Sequence, residues 1–122
     1  MTLVGFTGFG PFPGVADNAS AHLARMFEER SGADVRVLST VLPVEFDAVG
    51  GALERHFDGL GPRPDLLLAT GVHRGETLRL ERRARRAATS EKPDAAGRVG
   101  AGNDLDPSWP ESLETEVDLD LA

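Results

Sequence analysis

A chain of 122 residues, 40% apolar and 27% charged, is one globular domain at most, and no run approaches the ~20 apolar residues that span a bilayer. The net charge of -7 lies wholly beyond Arg98, where seven acids and no base occur; a neutral body of this kind argues against nucleic acid as a partner. No basic-then-apolar leader opens the chain, so the cytoplasm is the expected compartment.

The first apolar run, Leu3-Val4-Gly5-Phe6, ends in the loop Thr7-Gly8-Phe9-Gly10-Pro11-Phe12-Pro13-Gly14. A strand that stops at glycine and proline and re-enters a helix is how α/β sheets build ligand crevices at carboxyl ends. Phe9 and Phe12 are large apolar side chains in a loop: they either line a small apolar pocket or plug the top of the core. From Asn18 to Arg30, Ala19, Leu23, Met26 and Phe27 share one helical face, with Asn18 as N-cap and Ser31-Gly32 as stop. The β-branched run Val35–Val41 predicts strand two. Phe46, Val49, Leu53 and Phe57 form the stripe of a second helix, which Gly50-Gly51 weakens.

Gly59–Pro64 is a breaker, and the apolar run Asp65–Thr70 predicts a central strand buried on both faces. Three strands alternating with two helices predict an α/β fold with a mainly parallel sheet. Gly71–Gly75 is then a loop on the same rim as the phenylalanine loop. Leu78–Arg82 alternates like an edge strand and runs into Arg83, Arg85 and Arg86; this arginine cluster is either an anion site or a solvated edge charged against pairing. Lys92–Gly97 and Gly100–Pro110 are turn-rich. Leu113–Ala122 fits a helix through Leu113, Val117 and Leu121, or a strand through Val117, Leu119 and Leu121.

The chemistry these residues support is limited. Gly8 and Gly10 begin a dinucleotide fingerprint, but its third position falls on Pro13, and Pro11 has no N–H to offer a phosphate. The histidines, His22, His56 and His73, lack paired metal spacing, and no cofactor is implied. His73, in the loop after strand three, is the one near the expected site. There is no cysteine, so thiolate chemistry is absent from these residues. Glu81 is either a glutamate neutralised among arginines or a carboxylate that orients a histidine base.

Taken together, Thr7-Gly8-Phe9-x-Pro11-Phe12-x-Gly14 with Asn18, Val41-Leu42-Pro43-Val44-x-Phe46, Gly71 with Glu81-Arg82-x-Ala84, and Pro93-Asp94-x-x-Gly97 resemble the pyroglutamyl peptidase I family of cysteine peptidases. The resemblance implies a three-layer α/β/α sandwich and removal of N-terminal pyroglutamate from peptides by a cysteine thiolate, a histidine base and an orienting glutamate. It assigns Glu81 to that glutamate, Phe9 and Phe12 to the aromatic residues that hold the lactam ring, and Asn18 to the asparagine of the same loop.

There are departures. Gly10 stands where an acid is usual, Pro13 where glycine is usual, and Arg86 and Ala95 where asparagines are usual. The resemblance further implies that the family's cysteine and histidine lie beyond Ala122. Residues 1–122 are then expected to be a single, C-terminally truncated domain with C-terminal elements missing, exposing a sheet edge and inactive as given. The expected alternatives are a non-catalytic binding domain that keeps the pocket loop, and a homo-oligomer or other assembly in which a second chain covers the edge.

Overall fold

The computed structural model describes every residue except Glu29, Gly59, Leu60, Pro62, Ala101, Asn103 and Ala122, and describes Leu121 by its backbone alone. Three parallel strands form the main sheet in the order β2-β1-β3: β1 is Thr2–Phe9, β2 Val35–Leu42 and β3 Leu66–Ala69. Helix α1, Ala19–Glu28, joins β1 to β2, and helix α2, Val49–Asp58, lies between β2 and β3. A separate antiparallel ribbon pairs β4, Arg83–Arg85, with β5, Ser112–Glu114, and a 3-10 turn follows at Leu119–Leu121. The mainly parallel α/β architecture is the one the alternating pattern predicts.

The two helices use opposite faces of β1, because successive strand residues point to opposite sides. Phe6 and Gly8 face α1. The Phe6 ring, 2% exposed, stacks on Phe27 with centroids 4.7 Å apart, and Ala24 and Val37 complete this buried cluster. Gly5 faces the other way, where an added Cβ would stand 2.7 Å from Phe57 Cζ of α2. This makes three layers.

Helix α1 has the predicted period, and Phe27 of the predicted stripe packs on Phe6, but the rest of that stripe is not the buried face. Ser20, Ala21 and Ala24 are its buried residues, whereas Leu23 and Met26 are exposed. The cause is close approach: a Cβ on Gly8 would fall 2.0 Å from the Ser20 carbonyl oxygen, so the helix backbone sits directly on the strand and only small side chains fit between. Asn18 caps the helix as predicted, its Oδ1 accepting the Ser20 N–H at 3.0 Å.

Three further expectations are corrected. Strand β3 is not buried on both faces; it is an outer strand with all four residues exposed, because among the described residues the sheet pairs it with β1 alone. Leu78–Arg82 is not a strand. Among the described residues its backbone finds a partner only at its end, where the Thr115 N–H donates to the Arg82 carbonyl, and Leu78 lies fully in solvent. The ambiguous last segment is neither a full helix nor a strand over Val117–Leu121: its strand is Ser112–Glu114, set by pairing with β4. Of the Gly59–Pro64 breaker, Gly59, Leu60 and Pro62 lie outside the described residues.

Candidate functional site

The sheet order places a crevice. From β1 the chain crosses through α1 to β2 on one side and returns through α2 to β3 on the other, so the strand order reverses at β1. Loops leaving the carboxyl ends of the two strands at such a switch point diverge to opposite faces and leave a cleft between them. Here those loops are Gly10–Asp17, after β1, and Thr70–Gly75, after β3. They meet at Phe9, whose ring lies against Gly71, and the Thr70 N–H and hydroxyl both donate to the Thr7 carbonyl at 2.9 Å.

The β1 loop is held on both sides. Phe12 and Val15 exchange backbone hydrogen bonds of 3.1 and 2.8 Å around Pro13-Gly14, and Gly14 has φ +88°. Proline followed by a positive-φ glycine is the arrangement of a type II turn. Asn18, 3% exposed, ties the loop's start to the helix. Its Nδ2 donates to the Gly10 carbonyl at 2.9 Å, and its Oδ1 accepts both the N–H and the hydroxyl of Ser20. The Ser20 hydroxyl oxygen in turn accepts the Phe9 N–H at 2.9 Å. Phe9, Phe12 and Asn18 are thus parts of one small structure.

A second anchor was not evident as a site from spacing. Asp94 is 6% exposed, and its carboxylate accepts the N–H groups of Phe46, Ala96 and Arg98 at 2.8–2.9 Å. The Phe46 amide first, then that of Arg98, hold its carboxyl below the usual aspartate range. The neighbouring Ala95 N–H donates to the Val44 carbonyl at 2.8 Å. Pro93-Asp94-x-x-Gly97 is therefore a clamp on Pro43-Val44-x-Phe46, which leads into α2. The signal was present in sequence as an Asp two residues before an amide it can bond, with a glycine to close the turn.

The titratable residues named from sequence are scattered. Glu81 is exposed and lines an open groove with Leu80, Arg82, Arg83, Arg85 and Glu114; none of Phe9, Phe12 and Asn18 lines it. His73 does follow β3 on the predicted rim, but both ring nitrogens lie 2.8 Å from carbonyl oxygens of its own loop, those of Arg74 and Thr77. His22 pairs with Asp17 at 2.6 Å on the surface, and His56 packs edge-on against Phe57. Three of the clustered arginines are paired with acids. Arg82 pairs with Asp120, Arg83 with Glu114 at 2.6 Å and Arg86 with Asp104 at 3.1 Å.

Among the described residues no group of His, Asp and Glu is arranged to hold a metal, and no helix is long and apolar enough to cross a membrane.

A pyroglutamyl peptidase family model matches residues 2–119. The chain belongs to the pyroglutamyl peptidase family. A pyrrolidone-carboxylate peptidase of Mycobacterium marinum is 30% identical across 96% of this chain and 54% of its own length. Among solved structures, the pyrrolidone carboxyl peptidase of Pyrococcus furiosus superposes with a TM-score of 0.84 at 27% identity, over 93% of this chain and 54% of that one. That of Fervidobacterium islandicum AW-1 shares the fold with a TM-score of 0.90 at 24% identity, over 99% and 58%. The chain thus spans a little over half the length of the pyroglutamyl peptidases it matches.

Proposed function

We propose that these residues are the lactam-recognising N-terminal portion of a pyroglutamyl peptidase domain and do not hydrolyse the substrate by themselves. The observation that carries the reading is the position of Phe9 at the end of β1 and of Phe12 on the ordered loop that follows it, at the β1/β3 switch point. A pyroglutamyl ring is small, flat and uncharged, and aromatic walls with few polar groups suit it. Asn18 supports the same loop through its bond to the Gly10 carbonyl.

In the family mechanism a thiolate attacks the pyroglutamyl carbonyl, and a histidine moves the protons. Glu81 is the carboxylate proposed to hold that histidine in one tautomer. Neither a cysteine nor a histidine after His73 occurs in these residues, so the acyl-enzyme step has no nucleophile here. The cytoplasm is the compartment proposed for such a peptidase.

The substitution of Arg86 favours a second reading, a binding domain that keeps the loop without the chemistry. Its guanidinium holds the Trp109 carbonyl at 2.5 Å and Asp104, a structural use of the position where the family has asparagine. Incubation of the purified chain with a fluorogenic pyroglutamyl amide tests the main reading. No release above the buffer blank is expected, and release by the chain alone would overturn it. Saturable binding of pyroglutamate amide by calorimetry, with no turnover after the missing half is supplied, would favour the second.

A further inference from the structure

We propose that Ser20 is a positioning residue of the crevice at the β1/β3 switch point: its hydroxyl takes the Phe9 amide and so stops sheet pairing where the crevice opens. This deepens the reading of Phe9 and Phe12 as walls for a pyroglutamyl ring, and rests on it.

The amides along β1 show what Ser20 interrupts. In a parallel sheet a residue sends its N–H and C=O to the same side, and the next residue sends both to the other. The Gly10 N–H donates to the Leu42 carbonyl of β2, and the Thr7 carbonyl accepts the Thr70 N–H from the β3 side, both at 2.9 Å. Phe9, two residues after Thr7, therefore turns its N–H to the β3 side as well. Thr7 is matched to Ala69 in register, so one more rung would bring the Phe9 N–H to the Thr70 carbonyl. That rung is not made. The Phe9 N–H donates instead to the Ser20 hydroxyl oxygen at 2.9 Å. A side chain of α1 replaces the strand as partner, and the chain after Ala69 leaves β1 where the Phe9 ring stands against Gly71.

The hydroxyl is itself held in place. Ser20 is 2% exposed, and its one hydroxyl proton goes to Asn18 Oδ1 at 2.7 Å, which leaves the oxygen's lone pairs for the Phe9 amide. Asn18 is fixed in turn by the Gly10 carbonyl at 2.9 Å. The helix backbone at Ser20 lies directly on β1, since a Cβ on Gly8 would meet the Ser20 carbonyl oxygen at 2.0 Å. Phe9 is thus set before any ligand arrives, and a wall fixed in advance has less freedom to lose when a ring binds against it. Without the hydroxyl the Phe9 N–H is left unsatisfied or joins the Thr70 carbonyl, and either outcome moves the Phe9 ring relative to Gly71.

The test is calorimetric titration of the full chain with pyroglutamate amide. Ser20→Ala is expected to raise Kd at least about tenfold. Ala24→Gly loosens the same buried face of α1 away from Phe9; it is expected to lower the urea midpoint to a similar extent and to leave Kd within about twofold. An unchanged Kd in Ser20→Ala overturns the proposal, because the hydroxyl then has no part in binding. A rise in Ala24→Gly as large as that in Ser20→Ala also overturns it, because Ser20 then acts through stability alone. If Ser20→Ala does not fold, Ser20→Cys replaces it with the same expected rise, since a thiol keeps the size and is a weak acceptor. If the unsubstituted chain does not bind the amide, the lactam reading falls and the proposal with it. Binding that Ser20→Ala leaves intact overturns the proposal and spares the lactam reading.

Discussion

Asn18 shows how one side chain joins local and tertiary order. As N-cap it satisfies a helix-end amide that has no intrahelical partner, and the same carboxamide holds the Gly10 carbonyl eight residues earlier. Asn18→Ala is expected to cost roughly 0.5–2 kcal/mol in urea unfolding, the range for losing a cap. Asn18→Asp keeps the acceptor and loses the donor. It is expected to restore most of that stability while increasing hydrogen exchange at Phe12 and Val15; equal exchange in the two proteins would separate the loop from the cap. The cap was legible in sequence, because an asparagine preceded an apolar repeat. The bond to Gly10 was not, since nothing in spacing tells where a carboxamide's second end points.

At the scale of elements, the β4–β5 ribbon has no buried residue to hold it. Every residue of both strands is exposed, and a two-stranded ribbon alone is marginal in water. Its cross-links are ionic: Arg83 with Glu114, Arg82 with Asp120, and Arg86 with Asp104 beside it. Exposed pairs are weak singly and are screened as the Debye length shrinks to about 3 Å at 1 M salt. Amide exchange in Arg83–Arg85 and Ser112–Glu114 is therefore expected to rise between low salt and about 1 M sodium chloride, with β1 unchanged. Glu114→Gln should produce part of that rise at low salt, and insensitivity to both would mean that backbone pairing suffices. The acidic last stretch and the arginine cluster were each plain in the sequence. That three of the arginines pair with acids of that stretch depended on contacts between residues far apart in the chain, which composition does not encode.

For the whole molecule, acid stability follows from the buried turn that joins distant segments. Asp94 has a folded pKa below its unfolded value of roughly 3.9, held there by the amides of Phe46, Arg98 and Ala96. The unfolded chain therefore binds the proton first as pH falls, so the stabilisation is fully present above about pH 5 and is lost as pH drops through the folded pKa. Asp106 acts in the same direction, lowered by the Ser108 hydroxyl and then its amide. Urea midpoints are expected to be level from neutrality to about pH 5 and to decline below about pH 4. Asp94→Asn is expected to lower the midpoint at neutrality and to flatten part of the acid decline; an unchanged slope would assign the decline to other carboxylates.

By itself the sequence determined the alternation of strand and helix, the parallel sheet, the capped start of α1 and the set of motifs that resemble one family. These are local, since period, turn residues and caps act within a few positions of themselves. The tertiary structure alone decided which face of α1 is buried, because Gly8 admits the backbone of Ser20 and excludes anything larger than small side chains. It decided that Asp94 clamps the entry to α2, 48 residues away in sequence from Phe46. It also decided that the leucines of β3 are outside: an apolar run has the same pattern at the centre of a sheet and at its edge, and only the presence of a neighbouring strand distinguishes them.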